Sequence, residues 1–189
     1  MKKWTTLLVL LISSTVLYSQ DEAQLYVLET PTTWKTELFT FPIGFAQDIA
    51  YEGFEDARFP EGWNKENNLN FWSYVFAWSI NSNKELTENE LETNLQLYFD
   101  GLMNAKGCTT ALFVKKINSV GVSKFIGKIK TTDAFFTKKP LTFNVVVDTY
   151  YCQLQKKLIL IFRFSPKAFE SSVWNTLKEA KLRADSCKS

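Results

Sequence analysis

The ten residues Phe71–Ile80 (FWSYVFAWSI) carry no charge, no proline and no glycine. With a period of two, one side holds Trp72, Tyr74, Phe76, Trp78 and Ile80, and the other holds Phe71, Ser73, Val75, Ala77 and Ser79. That alternation predicts a strand, central in a sheet. Large rings bury about 150–250 Å² each, so this single face supplies much of the apolar burial that a domain needs.

The flanking patterns fill in the rest. Before the aromatic strand, residues 21–63 are punctuated by Pro31, Pro42, Pro60, Gly44, Gly53 and Gly62. Short strand-like pieces at Trp34–Phe41 and Phe54–Phe59 lie between them. This loop-rich arm is too aromatic to be a free tail and is expected to pack on the body. After the strand, Thr87 and Glu90 form a capping box, and Leu91, Leu95, Tyr98, Phe99 and Leu102 follow at helical spacing. Strands are then predicted at Cys108–Ile117, Val122–Thr132, around Leu141–Val147 and around Leu158–Phe164. A turn is expected near Asn118–Gly121, and Gln153–Lys156 makes the last two strands a hairpin. Ser165-Pro166 opens a closing helix of about 18 residues with Phe169, Val173, Leu177 and Ala180 as its buried stripe. Short connections imply antiparallel neighbours, so the expected fold is α+β: a twisted antiparallel sheet with two amphipathic helices packed on one face.

The ends of the chain bound its compartment. Lys2 and Lys3, the apolar run Leu7–Ile12 and the small residues before Ser19 have the layout of a secretory signal peptide over residues 1–20. The apolar run is well short of the ~20 residues that span a bilayer, so no transmembrane segment is expected in the mature chain. Residues 21–189 then form a single domain, exported to the periplasm or secreted.

Removing the leader leaves 20 basic and 20 acidic residues, which argues against nucleic acid as a partner. The charge is split, with 15 acids and 4 bases up to Ala105, then 5 acids and 16 bases. Two halves that fold against each other neutralise one another. Histidine is absent, which removes Ser-His-Asp and Cys-His catalysis and the common zinc sites. No catalytic residue, metal ligand or cofactor site is assigned.

Three groups of residues remain as candidates. Cys152 at the hairpin turn and Cys187 after the closing helix are the favoured disulfide, with Cys108 paired to either, or no bridge at all, as rivals. Lys124, Lys128 and Lys130 share one side of a strand and offer a basic patch for an anionic glycan or lipid headgroup; Trp63 offers a stacking surface. Glu52, Glu55, Asp56 and Glu61 are acidic residues beside aromatics, as a glycosidase cleft requires, although carboxylates so spaced in a loop are ordinarily solvated.

The run Arg58-Phe59-Pro60-Glu61-Gly62-Trp63 and the closing segment Leu141–Ala184 resemble the PsbP-like fold of extrinsic photosynthetic-membrane proteins. Exported, aromatic-rich bacterial α+β proteins of this size share the same general look. The resemblance implies a non-catalytic accessory or binding role and carries over no functional residue. The expected function is therefore an exported binding or accessory protein of the periplasm or cell envelope. A carboxylate-based hydrolase acting on carbohydrate, or a structural partner in an envelope assembly, stands as the alternative, and an envelope protein is a further candidate partner.

Overall fold

The computed structural model describes residues 26–117 and 123–188. The leader predicted at residues 1–20 and the turn expected near Asn118–Gly121 lie outside them. In chain order the elements are β1 (Leu28–Glu29), β2 (Lys35–Thr40), β3 (Gly53–Phe59), β4 (Tyr74–Asn81) and α1 (Glu88–Leu102). They continue as β5 (Thr110–Ile117), β6 (Ser123–Thr132), β7 (Pro140–Cys152), β8 (Lys157–Ser165), α2 (Val173–Leu177) and β9 (Lys181–Leu182). Seven strands form one antiparallel sheet in the order β2-β3-β4-β8-β7-β6-β5, and β1 pairs with β9 in a separate two-stranded ribbon. The α+β expectation holds in its coarse form, with the sheet dominant.

The aromatic run is a central strand, paired with β3 on one side and β8 on the other. It starts later than its alternation suggests. Trp72 lies in a turn with φ 52°, held by backbone bonds from Phe71 to Asn68 and from Ser73 to Asn70. The ladder begins at Tyr74. Tyr74, Phe76, Trp78 and Ile80 still face one core with Leu91, Leu95, Tyr98 and Phe99 of α1. Phe76 packs on Phe162 and Tyr98 at ring separations of 4.7 and 5.2 Å.

Helix α1 begins at the predicted box. The Glu90 N–H donates to Thr87 Oγ1 at 3.2 Å, and the Thr87 N–H donates to Glu90 Oε2 at 2.9 Å. The helix also shields the sheet's open edge at β5. The Phe113 N–H donates to Glu92 Oε1 and the Lys115 N–H to Glu88 Oε1. Those carboxylates occupy edge donors that would otherwise recruit another strand.

Gly101 fixes how closely α1 approaches the arm. A Cβ there would sit 1.8 Å from the Phe45 carbonyl oxygen. Helix propensity alone favours alanine over glycine by about 1 kcal/mol. The backbone clash reverses that sign, because overpacking costs about 3 kcal/mol when a main-chain atom must move. Gly101→Ala is expected to lower the urea midpoint, and a raised midpoint would refute the close approach.

Two expectations about the second helix are corrected. Helix α2 has five residues, not about 18, and the chain then extends into β9. Arg163 is the physical reason: its Nε donates to the Leu177 carbonyl at 3.1 Å and its Nη2 to the Ala180 carbonyl at 2.9 Å. Side-chain donors from β8 thus satisfy the acceptors that a continuing helix would have used. Val173, Leu177 and Ala180 are buried as expected, but Phe169 is 41% exposed because it precedes the helix.

The helices also lie on opposite faces of the sheet, not on one. Val75, Ala77, Ile159 and Ile161, the alternate residues of β4 and β8, form a second core with Val173, Trp174 and Leu177 of α2. Small residues on the second side of β4 leave room for it, so both faces of the central strands are buried.

Cys152 and Cys187 form the favoured disulfide, with a Cα–Cα distance of 5.1 Å, and Cys108 is free and exposed. The return that brings Cys187 to the hairpin runs through α2 and β9, not through one long helix.

Candidate functional site

Strands β2 and β3 of the arm, β4, helix α1 and three loops meet to leave a cavity of about 170 Å³. Glu37 and Phe39 of β2, Glu55, Ala57 and Phe59 of β3, and Tyr74 of β4 form its sheet wall. Tyr98 and Leu102 of α1 close one side, and Phe45, Trp63, Trp72, Phe135 and Phe136 close the rest from loops. The alternation of β2, β3 and β4 sends their odd or even members to one face in register, Phe39 opposite Glu55 and Ala57 opposite Phe76. The loop residues follow from ring packing: Trp63 contacts Phe59 at 4.5 Å, and Trp72 contacts Phe136 at 5.1 Å.

Three polar groups stand out in this apolar wall, one of them the Trp72 Nε1 donor, which is buried without a hydrogen-bond partner. Glu55 is fully buried and accepts from Trp78 Nε1 at 2.8 Å and from the Tyr98 hydroxyl at 2.9 Å. Burial pushes its carboxyl up to about 8, against those two bonds and with the charges of Asp56 and Glu37 adding to the rise. Glu55 therefore holds its proton at neutral pH. The third group is Tyr74, whose hydroxyl is buried without a hydrogen-bond partner. Burial, then the Glu55 carboxyl, drives its pKa well above the ordinary tyrosine value, so it stays a neutral donor. A buried hydroxyl with no acceptor is costly, and such groups mark places where a ligand or water completes the bond.

Comparisons with protein families, curated proteins and solved structures find no match to this chain.

The structure separates the residues that the sequence grouped. Trp63 joins the cavity on the α1 face, whereas Lys124, Lys128 and Lys130 project from the opposite face of β6. Lys128 and Lys130 are exposed. Lys124 is half-buried and pairs with Asp148 at 3.4 Å, with Arg163 also bound to Asp148. The acidic group is dispersed too. Glu55 and Asp56 are consecutive in β3 and point to opposite faces, Glu52 accepts from Asn81 Nδ2, and Glu61 lies beyond the other end of the strand. Among the described residues, no cluster of three or more acidic or cysteine side chains is close enough to hold a metal ion.

Asp56 has a structural task on the α2 face. It accepts from the Val27 and Leu28 N–H groups at 3.0 and 2.9 Å and from Arg58 Nε at 2.6 Å. The charge-split halves meet in part where α1 and the loop before it cover β5, as in Lys115–Glu85 at 2.9 Å.

Tyr74 and Tyr98 read from the sequence as core residues, whereas Phe135, Phe136 and Glu37 reach the cavity without having been candidates. A signal was present: two tyrosines at buried positions each need a partner for their hydroxyl, and the one carboxyl between them satisfies only Tyr98.

Proposed function

We propose that the protein is an exported, non-catalytic binding or accessory protein whose ligand seats a small apolar group with a hydrogen-bond acceptor in the aromatic cavity. The observation that carries this reading is the unpartnered Tyr74 hydroxyl in the cavity wall. The volume suits one ring or a short branched chain, since dry cavities of about 150 Å³ take up benzene. Glu55 gives no support to hydrolysis: both of its oxygens are occupied, and Asp56 faces away. The disulfide is compatible with an oxidising compartment, and no helix among the described residues is long and apolar enough to cross a membrane. An accessory role also agrees with what the PsbP-like resemblance implies.

Acetophenone and ethylbenzene test the assignment, because they share a ring and carbon count and only the ketone accepts a hydrogen bond. The wild-type protein is expected to bind acetophenone about tenfold more tightly, the worth of one buried hydrogen bond. Shifts of the tryptophan indole N–H signals on titration report the binding. In Tyr74→Phe the preference disappears. Absence of any shift with either compound, or a preference that survives Tyr74→Phe, would overturn the reading.

A further inference from the structure

The sheet carries a second surface, unrelated to the cavity. Helix α2 covers β4 and β8 on its side of the sheet and leaves the even-numbered residues of β5 and β6 open. At its centre Leu112 and Val114 are 68% and 58% exposed. They sit directly across from Lys128 and Ile126. Lysines bracket this apolar strip: Lys116 lies opposite Lys124 at one end, and Lys130 follows Lys128 at the other.

Lys116 and Lys124 form a like-charge pair on one face, an arrangement that destabilises a ladder. Asp148 offsets part of that repulsion at Lys124 and is itself taken up by Arg163. Among the described residues, Lys116, Lys128 and Lys130 have no carboxylate partner. A strand that keeps exposed aliphatic residues beside unpaired lysines is suited to a surface that is apolar underneath and negative on top.

The geometry points to this β5–β6 face as a docking surface for an anionic phospholipid bilayer, with Leu112 and Val114 entering the interface and the lysines meeting phosphates. Its composition argues against a protein partner. Protein interfaces concentrate aromatic residues and arginine and are poor in lysine, the reverse of this face. Lysines near an anionic leaflet each contribute about 1 kcal/mol without specific geometry, which fits long, unpaired side chains on a flat sheet.

Co-sedimentation of the full chain with vesicles tests the proposal, using phosphatidylcholine alone and phosphatidylcholine with 30 mol% phosphatidylglycerol, about the anionic fraction that generates a sizeable surface potential. The uncharged vesicles set the baseline for any apolar leader. Binding is expected only above that baseline on the anionic vesicles, falling as salt is raised. Lys128→Glu/Lys130→Glu is expected to weaken it by about 30-fold or more. Leu112→Ser/Val114→Ser is expected to weaken vesicle binding while leaving retention on heparin unchanged, because heparin reads charge alone. All four positions are exposed, so circular dichroism should match the parent. Equal binding to both vesicle types, or charge-reversed protein that binds like the parent, overturns the proposal. Retention on heparin or capture by an acidic protein without vesicle binding overturns it in favour of a glycan or protein partner.

Discussion

Raising the pH from 5 to 9 is expected to destabilise the wild-type protein by several kcal/mol, and Glu55→Gln is expected to remove most of that slope. Glu55 has its carboxyl raised from 4.5 to about 8 in the folded state. Between those values the unfolded chain has released a proton that the native protein still holds. Stability therefore falls as pH rises through this window and levels off above it. The full difference is on the order of 5 kcal/mol, a substantial part of a domain's stability. Glutamine keeps the shape and stays neutral. Its oxygen can accept from Trp78 Nε1 while its amide donates to the Tyr98 oxygen, a role the hydroxyl can take by rotating. Urea midpoints at closely spaced pH values provide the measurement. Asp56, also raised by burial, leaves a smaller residual slope in the variant. A wild-type midpoint that stays flat from pH 5 to 9 would show that the carboxyl ionises without cost, and the buried, protonated state would have to be abandoned. Glu90 and Asp133, both lowered to about 2, titrate below this window and leave the sign unchanged.

The elements that the sequence discloses are those held by neighbours in the chain. The Thr87–Glu90 box closes within one turn, and the Gln153–Lys156 connection joins strands that alternate in step. The period of two in β4 likewise survives because both faces are buried, with large residues on one side and small ones on the other. Where the reading fails, the deciding partner is distant. Val173, Leu177 and Ala180 have helical spacing, yet Arg163 intercepts the carbonyls of Leu177 and Ala180 from another strand. Lys181–Leu182 then pairs with β1, far away in the chain. Placing α2 on the second face depended on Val75 and Ala77, whose small size was visible but whose partners were not.

The candidate site was legible in its ingredients and not in its assembly. Glu55 and Asp56 belong to a segment already recognisable as strand-like, and adjacent strand residues point apart. That alone divides the acidic group into a cavity residue and a fastening residue. Trp63 and the lysines were each identified as accessible, but a loop residue and a strand residue have no common periodicity. Nothing local could show that they lie on opposite faces. The orphan hydroxyl of Tyr74 emerges only when every neighbouring donor and acceptor is counted.

Asp56→Ala is the second substitution expected to act strongly, with a loss of about 3–5 kcal/mol. The side chain is completely buried and serves three groups at once: the amides of Val27 and Leu28 and the guanidinium of Arg58. Arg58 also donates to the Leu28 carbonyl, so the pair clamps β1, and with it the β1–β9 ribbon, onto β3. Alanine leaves two amides without an acceptor and a largely buried guanidinium without its anion. The loss should be local before it is global. Hydrogen exchange at Val27 and Leu28 is expected to accelerate well beyond the change at Leu91 or Leu95 of α1, whose core lies on the other face. Asp185→Ala, which breaks the exposed pair with Arg183 on the same ribbon, should leave the midpoint unmoved. If both substitutions shift stability alike, or if the Val27 amide stays protected in Asp56→Ala, the ribbon is held by its apolar contacts and the disulfide, and the buried ion pair is incidental to it.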